Sequence, residues 1–107
     1  MNQEAIRRRL CIYGRVQGVA FRAATCEAAR RAGVAGWVRN RSDGSVEAVL
    51  EGAPRAVDEV ERFCETGPAL AWVERVERTS EPPQELAEFE MRSTRSEEHT
   101  SELQSQC

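Results

Sequence analysis

At Asp43-Gly44 the chain can do little but turn back on itself. This dipeptide accepts the positive φ of a tight hairpin turn, and a strand-like segment lies on either side of it: Val34 to Asn40 before, Ser45 to Glu51 after. In the second segment Val46, Ala48 and Leu50 fall on one face, and Glu47, Val49 and Glu51 on the other. A β-hairpin therefore sits in the middle of the chain, and each flank is helical. Phe21 to Ala32 is rich in Ala and Arg, which favours a helix. At about 100° per residue, Phe21, Ala24, Thr25, Ala28, Ala29 and Ala32 share a face, and Gly33 supplies the stop. Pro54 suits the first position of a second helix, running to about Glu65 with Val57, Val60, Phe63 and Cys64 as its buried stripe. Gly67-Pro68 ends it.

Two further strands close the pattern. Ile6 to Tyr13 alternates, with Ile6, Leu10 and Ile12 on one face, Arg7, Arg9, Cys11 and Tyr13 on the other, and Arg8 as an exception. Val73 to Thr79 breaks alternation, which points to a bulge or a short edge strand. After the rigid break at Pro82-Pro83, Leu86 to Arg92 is a candidate fifth strand, with Phe89 and Met91 in phase. The order is β-α-β-β-α-β plus a short C-terminal strand. This predicts an α+β, ferredoxin-like split βαβ sandwich, with two helices packed on one face of a mostly antiparallel sheet. A single domain is expected over residues 1–92. Residues 93–107 are mostly Ser, Thr, Glu and Gln with a single Leu, a composition that cannot order itself. They read as a disordered, non-native tail, and the run Arg95 to Ser105 resembles a translated cloning scar.

Composition narrows the chemistry. All 15 basic side chains other than His99 are Arg, and there is no Lys. That excludes Schiff-base and PLP enzymes and a Walker-A phosphate lysine. One His, in the tail, argues against a catalytic triad or a multi-His zinc site. Cys11, Cys26, Cys64 and Cys107 are widely spaced and read as free thiols, with no metal site expected. No signal peptide or membrane-length apolar run is present, so a cytoplasmic protein without membrane contact is expected. Residues 1–41 carry a net charge of +7 and residues 42–92 a net −8. Either the first half holds a local anion site, or the two halves neutralise each other across the fold. Arg7, Arg8 and Arg9 share that ambiguity, as a steering field for anions or as partners for the acids.

The loop from Gly14 to Ala20 is the most informative stretch. Gly14 and Gly18 let the backbone turn tightly and expose N–H groups, and the loop opens straight into a helix N-terminus that favours an anion. Arg22 follows the core-facing Phe21, and its guanidinium can grip two oxygens of one phosphate. Such a cradle is a complete phosphate site without a metal. The plain alternative is a Gly-containing strand-to-helix turn with a surface Arg. Asn40, at the end of the second strand, is by itself an Asn opening the hairpin turn. Trp37 and Phe63 read as core, and Trp72 as partly exposed before an edge strand.

Gly14-Arg15-Val16-Gln17-Gly18-Val19-Ala20-Phe21-Arg22 resembles the acylphosphatase signature. Gly36-Trp37-Val38-Arg39-Asn40 followed by Asp43-Gly44-Ser45-Val46-Glu47 resembles the second signature of that family, at the right separation. Gly67-Pro68 and Val73-Glu74-Arg75-Val76 match its usual ending, so the resemblance spans roughly residues 6–92. It implies hydrolysis of the carboxyl-phosphate bond of acyl phosphates, independent of metal and cofactor. By position, the phosphate-binding arginine is Arg22 and the water-orienting residue is Asn40. The phosphate loop is Arg15, Val16, Gln17, Gly18, Val19 and Ala20. Ala20 stands where Gly or a larger residue is common in the family. The implied ligands are a small-molecule acyl phosphate and inorganic phosphate, and the expected state is a monomer.

Two other readings compete. One is a non-catalytic anion-binding module on the same fold. The other is an RNA-binding domain of the same element order, which would need stacking aromatics on the central strands. The first and third strands offer only Tyr13, so nucleic acid is not expected. An acylphosphatase-like domain also begins the larger hydrogenase-maturation carbamoyltransferases. Zinc-finger cysteines are missing here, and a stand-alone enzyme is the expectation.

Overall fold

The computed structural model describes residues 4–94. Its elements are β1 (Ile6–Arg15), α1 (Phe21–Ala32), β2 (Ala35–Asn40), β3 (Val46–Gly52), α2 (Pro54–Thr66), β4 (Trp72–Glu81) and β5 (Phe89–Arg92). The five strands form one sheet in the order β4-β1-β3-β2-β5. The β1–β3, β1–β4 and β2–β3 pairs are antiparallel, and β2–β5 is parallel. The ferredoxin-like expectation holds. Among the described residues no helix is long and apolar enough to cross a membrane. The suspected scar, Arg95 to Ser105, lies outside the described residues.

The core lies between the sheet and the helices. Leu10, Ile12, Val38, Val46, Ala48 and Leu50 from the strands meet Phe21, Cys26 and Ala29 of α1 and Val57, Val60 and Cys64 of α2. Cys26 is buried in this core. Free thiols are found at Cys26 and Cys64, but Cys11 is engaged in a disulfide. Phe63 is half-buried and packs against the core, its ring 6.4 Å from that of Phe21. Arg8 is an exception on its strand for a reason. It points to the helix side and passes its guanidinium under α2, to Asp58 at 2.8 Å and Glu61 at 2.6 Å.

The opposite face of the sheet is roofed by side chains rather than by a layer of helices. Arg7 and Arg9 both pair with Glu81, at 2.8 and 2.6 Å. Arg9 and Arg39 both bond Glu47, which is fully buried. Trp37 belongs to this face and not to the helix-side core. Because Val38 points to the helices, alternation sends Trp37 the other way. It is buried there by the guanidiniums of Arg92, Arg39 and Arg9, at 4.8, 5.1 and 5.9 Å from its ring centroid. The basic first half and the acidic second half thus neutralise each other across the fold, and Arg7, Arg8 and Arg9 are partners for the acids.

Two edges differ from expectation. β4 is longer than Val73 to Thr79, and it does carry a bulge: Tyr13 pairs with Arg75 but Gly14 with Val73, leaving Glu74 extra. Gly14 permits this close approach, since a Cβ there would lie 2.2 Å from the Trp72 carbonyl oxygen. β5 begins at Phe89 instead of Leu86. The Glu51 carboxylate accepts the backbone N–H groups of Gln84, Glu85 and Leu86, at 3.1, 2.5 and 3.2 Å. Those N–H groups are thereby withheld from a strand ladder, and Glu85 takes a left-handed turn conformation, φ 59°.

Candidate active site

β1 ends at the exposed Arg15, which pairs with Trp72 on the edge strand. The chain then folds into a short loop anchored at both ends. Val16 is buried in the core and Phe21 is buried as the first residue of α1. Between them Gly18 takes φ 78° and Ala20 takes φ 64°, ψ 28°, both left-handed. The Ala20 carbonyl accepts the Ala24 N–H at 3.1 Å, so the loop becomes helix without a break. Since Phe21 fills the inward direction, Arg22 is turned away from the core at the first turn of α1, where unpaired N–H groups collect.

A side-chain brace ties the loop to the central hairpin. The Gln17 amide donates to the carbonyls of Arg41 at 2.8 Å and Ser45 at 2.9 Å. The hairpin turn is itself stiffened by Asp43, whose carboxylate accepts the Ser45 N–H at 2.9 Å and hydroxyl at 2.6 Å. Burial pushes the Asp43 carboxyl up, but these bonds and nearby Arg41 outweigh it and hold the group below its ordinary range.

Asn40 closes β2, paired with Val46. It stands two residues beyond Val38 and so faces the helix layer with it. There it meets the loop. Val16, Gly18, Ala20, Phe21, Arg22, Ala23, Asn40 and Met91 line one cavity of about 180 Å³. Of the residues expected in the site, the structure therefore brings together Arg22, Asn40, Val16, Gly18 and Ala20. Arg15, Gln17 and Val19 do not line it. Arg15 faces solvent, Gln17 serves as the brace, and Val19 packs against the core.

Sequence reasoning missed the contribution of β5. Its Arg92 carbonyl accepts a hydrogen bond from Nη1 of Arg22 at 2.8 Å, and its Met91 forms part of the cavity wall. The signal for Met91 was present, since it is in phase with the buried Phe89. The Arg22 contact is to a backbone atom and leaves no trace in side-chain identity. Burial pushes the Cys26 thiol up, against the pull of Arg30 and Arg22, so this thiol beside the site stays protonated at neutral pH.

The cavity thus offers one guanidinium, one neutral amide and the backbone of a left-handed loop. No carboxylate or imidazole lines it among the described residues. No three His, Cys, Asp or Glu side chains come together there or elsewhere among those residues as a metal-ligand set. Such a site is suited to a tetrahedral anion and a water molecule.

The acylphosphatase family model matches residues 8–91. An acylphosphatase of Synechococcus sp. is 52% identical over 91 residues, covering 85% of this chain and 97% of its own. The crystal structure of acylphosphatase from Bacillus subtilis superposes with a TM-score of 0.77 at 32% identity, over 80% of this chain and 97% of that one. An acylphosphatase structure from Coxiella burnetii gives 0.80 at 28% identity, over 86% and 100%. This chain belongs to the acylphosphatase family, hydrolases of acyl phosphates.

Proposed function

We propose that Arg22 and the N–H groups of the loop from Arg15 to Ala20 bind the phosphoryl group of an acyl phosphate, and that Asn40 orients the water that attacks it. The observation carrying this is that Arg22, Asn40 and the loop share one small cavity. An acyl phosphate is a mixed anhydride with a carboxylate leaving group, so expulsion needs no protein acid. Water attacks phosphorus, the bond from phosphorus to the carboxylate oxygen breaks, and the carboxylate leaves with the electron pair. Asn40 cannot act as a base at neutral pH, but its amide both donates and accepts, which fixes a water in line. The water's proton passes to a phosphoryl oxygen of the substrate. Arg22 and the loop N–H groups stabilise charge on the equatorial oxygens, and nothing in this scheme uses a metal.

The test is hydrolysis of benzoyl phosphate in the presence of EDTA. Wild type is expected to turn over. Arg22→Ala is expected to lose about 10²–10³-fold in kcat/KM together with most of its inhibition by inorganic phosphate. Asn40→Ala is expected to lose kcat while phosphate still inhibits. No wild-type turnover would end the hydrolase reading, loss of activity to EDTA would end the metal-free scheme, and full turnover by Asn40→Ala would end the water-orienting role.

A further inference from the structure

β4 is the longer of the two free edges of the sheet. It runs from Trp72 to Glu81, pairs with β1 on one side, and has no strand on the other among the described residues. Such an edge is a template for another strand. We propose that its partner is the β4 of a second copy of this chain, in an antiparallel, two-fold pairing centred on Val76 that joins two five-stranded sheets into one. The monomer expected from the family resemblance is then the dilute species. The phosphate cavity lies toward β2 and β5, at the other edge, so the inference does not depend on the catalytic reading.

The sequence of the strand selects the register. Opposite residues in an antiparallel ladder turn their backbone groups the same way, both toward the partner or both away, and these directions alternate along each strand. A two-fold axis must therefore pass through a residue, which then faces its own copy. Glu74, Arg75, Glu77 or Arg78 at the axis would meet a like charge, which is destabilising. Val76 meets a half-buried apolar side chain instead. With the axis there, Arg75 stands opposite Glu77 of the second copy, and Glu77 opposite its Arg75. Within one strand these two already pair at 3.1 Å, and the Arg75 guanidinium lies over the Tyr13 ring at 4.0 Å. Four charges thus alternate in sign around the axis. One step further out, Arg78 of one copy stands opposite the bulge of the other and meets Glu74.

The bulge also brings Trp72 into the pairing. Arg75, Glu77 and Thr79 lie opposite Tyr13, Cys11 and Arg9, and share the face away from the helices. Trp72, opposite Arg15, returns to that face because Val73 and Glu74 together fill one position. It therefore comes level with Thr79 of the second copy, and an aromatic beside a β-branched residue is a favourable cross-strand pair. In the single chain Trp72 is 69% exposed, the largest apolar side chain left open to solvent among the described residues. The pairing gives it a neighbour.

The test is sedimentation equilibrium of the full chain over a micromolar-to-millimolar series, with non-reducing electrophoresis of each sample and circular dichroism to confirm folding. Wild type is expected to form a reversible dimer. Arg75→Glu and Glu77→Arg each create two like-charge contacts across the axis, and each is expected to weaken dimerisation about tenfold or more. The two single variants mixed in equal amounts again oppose unlike charges, and so does the double variant; both are expected to associate as wild type does. Trp72→Ala is expected to weaken association about threefold or more. A wild type that stays monomeric throughout, or associates only as a disulfide-linked species, overturns the inference. Dimerisation that the single reversals leave unaltered, or that neither the mixture nor the double variant restores, overturns it too.

Discussion

Arg22 differs from the arginines around it in what it faces. Arg7, Arg8, Arg9 and Arg39 end on carboxylates, whereas Arg22 is held by a neutral carbonyl and keeps its charge for a ligand. A forked donor with one arm tied back is hard to replace. Arg22→Lys is expected to lose nearly as much kcat/KM as Arg22→Ala, because an ammonium cannot hold the Arg92 carbonyl and two phosphoryl oxygens in one plane; steady-state kinetics on benzoyl phosphate would show it. Ala20 has a conformational cost of its own. A left-handed alanine is disfavoured by roughly 1–2 kcal/mol, and Ala20 has φ 64° with no side-chain cap to offset it. Ala20→Gly is expected to raise stability by about 1 kcal/mol, a melting temperature higher by about 4–8 °C, measurable by calorimetry. The left-handed turn was not legible at this position, since alanine gives no hint of positive φ. The sequence offered Arg22 as a phosphate-binding candidate through its loop as well as its motif, and Asn40 through its motif alone. Their proximity depends on β2 lying under α1, which no local pattern states.

Among the elements, the helices and the central hairpin were the most readable, because each has a clean period and a stop residue. The edges were read less well, because long-range partners set them. β5 starts late on account of Glu51, more than 30 residues away, which takes the N–H groups of residues 84–86. The same carboxylate lies 3.5 Å from Nη1 of Arg7 as an ion pair. That nitrogen is buried and makes no hydrogen bond. Glu51→Ala removes the one carboxylate beside the buried Nη1 of Arg7, whose Nε stays on Glu81, and strands three N–H groups, and about 3 kcal/mol of stability is expected to go with it. Glu51→Gln keeps an acceptor and should lose less. Urea titration distinguishes the two. Trp37 is buried, as expected, but on the face away from the helices. Its residue type says core, while the alternation through Val38 says open face, and the arginine roof satisfies both.

At the scale of the molecule, the uneven charge of the sequence becomes a sheet face crossed by ion pairs. Its acid response follows from Glu81. Burial raises this carboxyl, but bonds from Arg9 and Arg7 outweigh that and hold it below its ordinary 4.5. A carboxyl lowered in the folded state adds stability at and above its unfolded range, and that part is lost as pH falls through the lowered value. Stability should therefore hold down to about pH 4.5 and decline below it. Glu81→Gln should be less stable at pH 7 and flatter below pH 4.5, as read by denaturation across pH. The bond from Arg22 to Arg92 has a consequence for biosynthesis. The two residues are 70 positions apart. At roughly 5–20 residues per second, a ribosome finishes the phosphate loop and its arginine about 4–14 s before it makes the carbonyl that aims them. A nascent chain thus lacks the Arg22–Arg92 bond until β5 has emerged and docked, and a message broken between Asn40 and β5 yields a polypeptide that carries the signature without that bond.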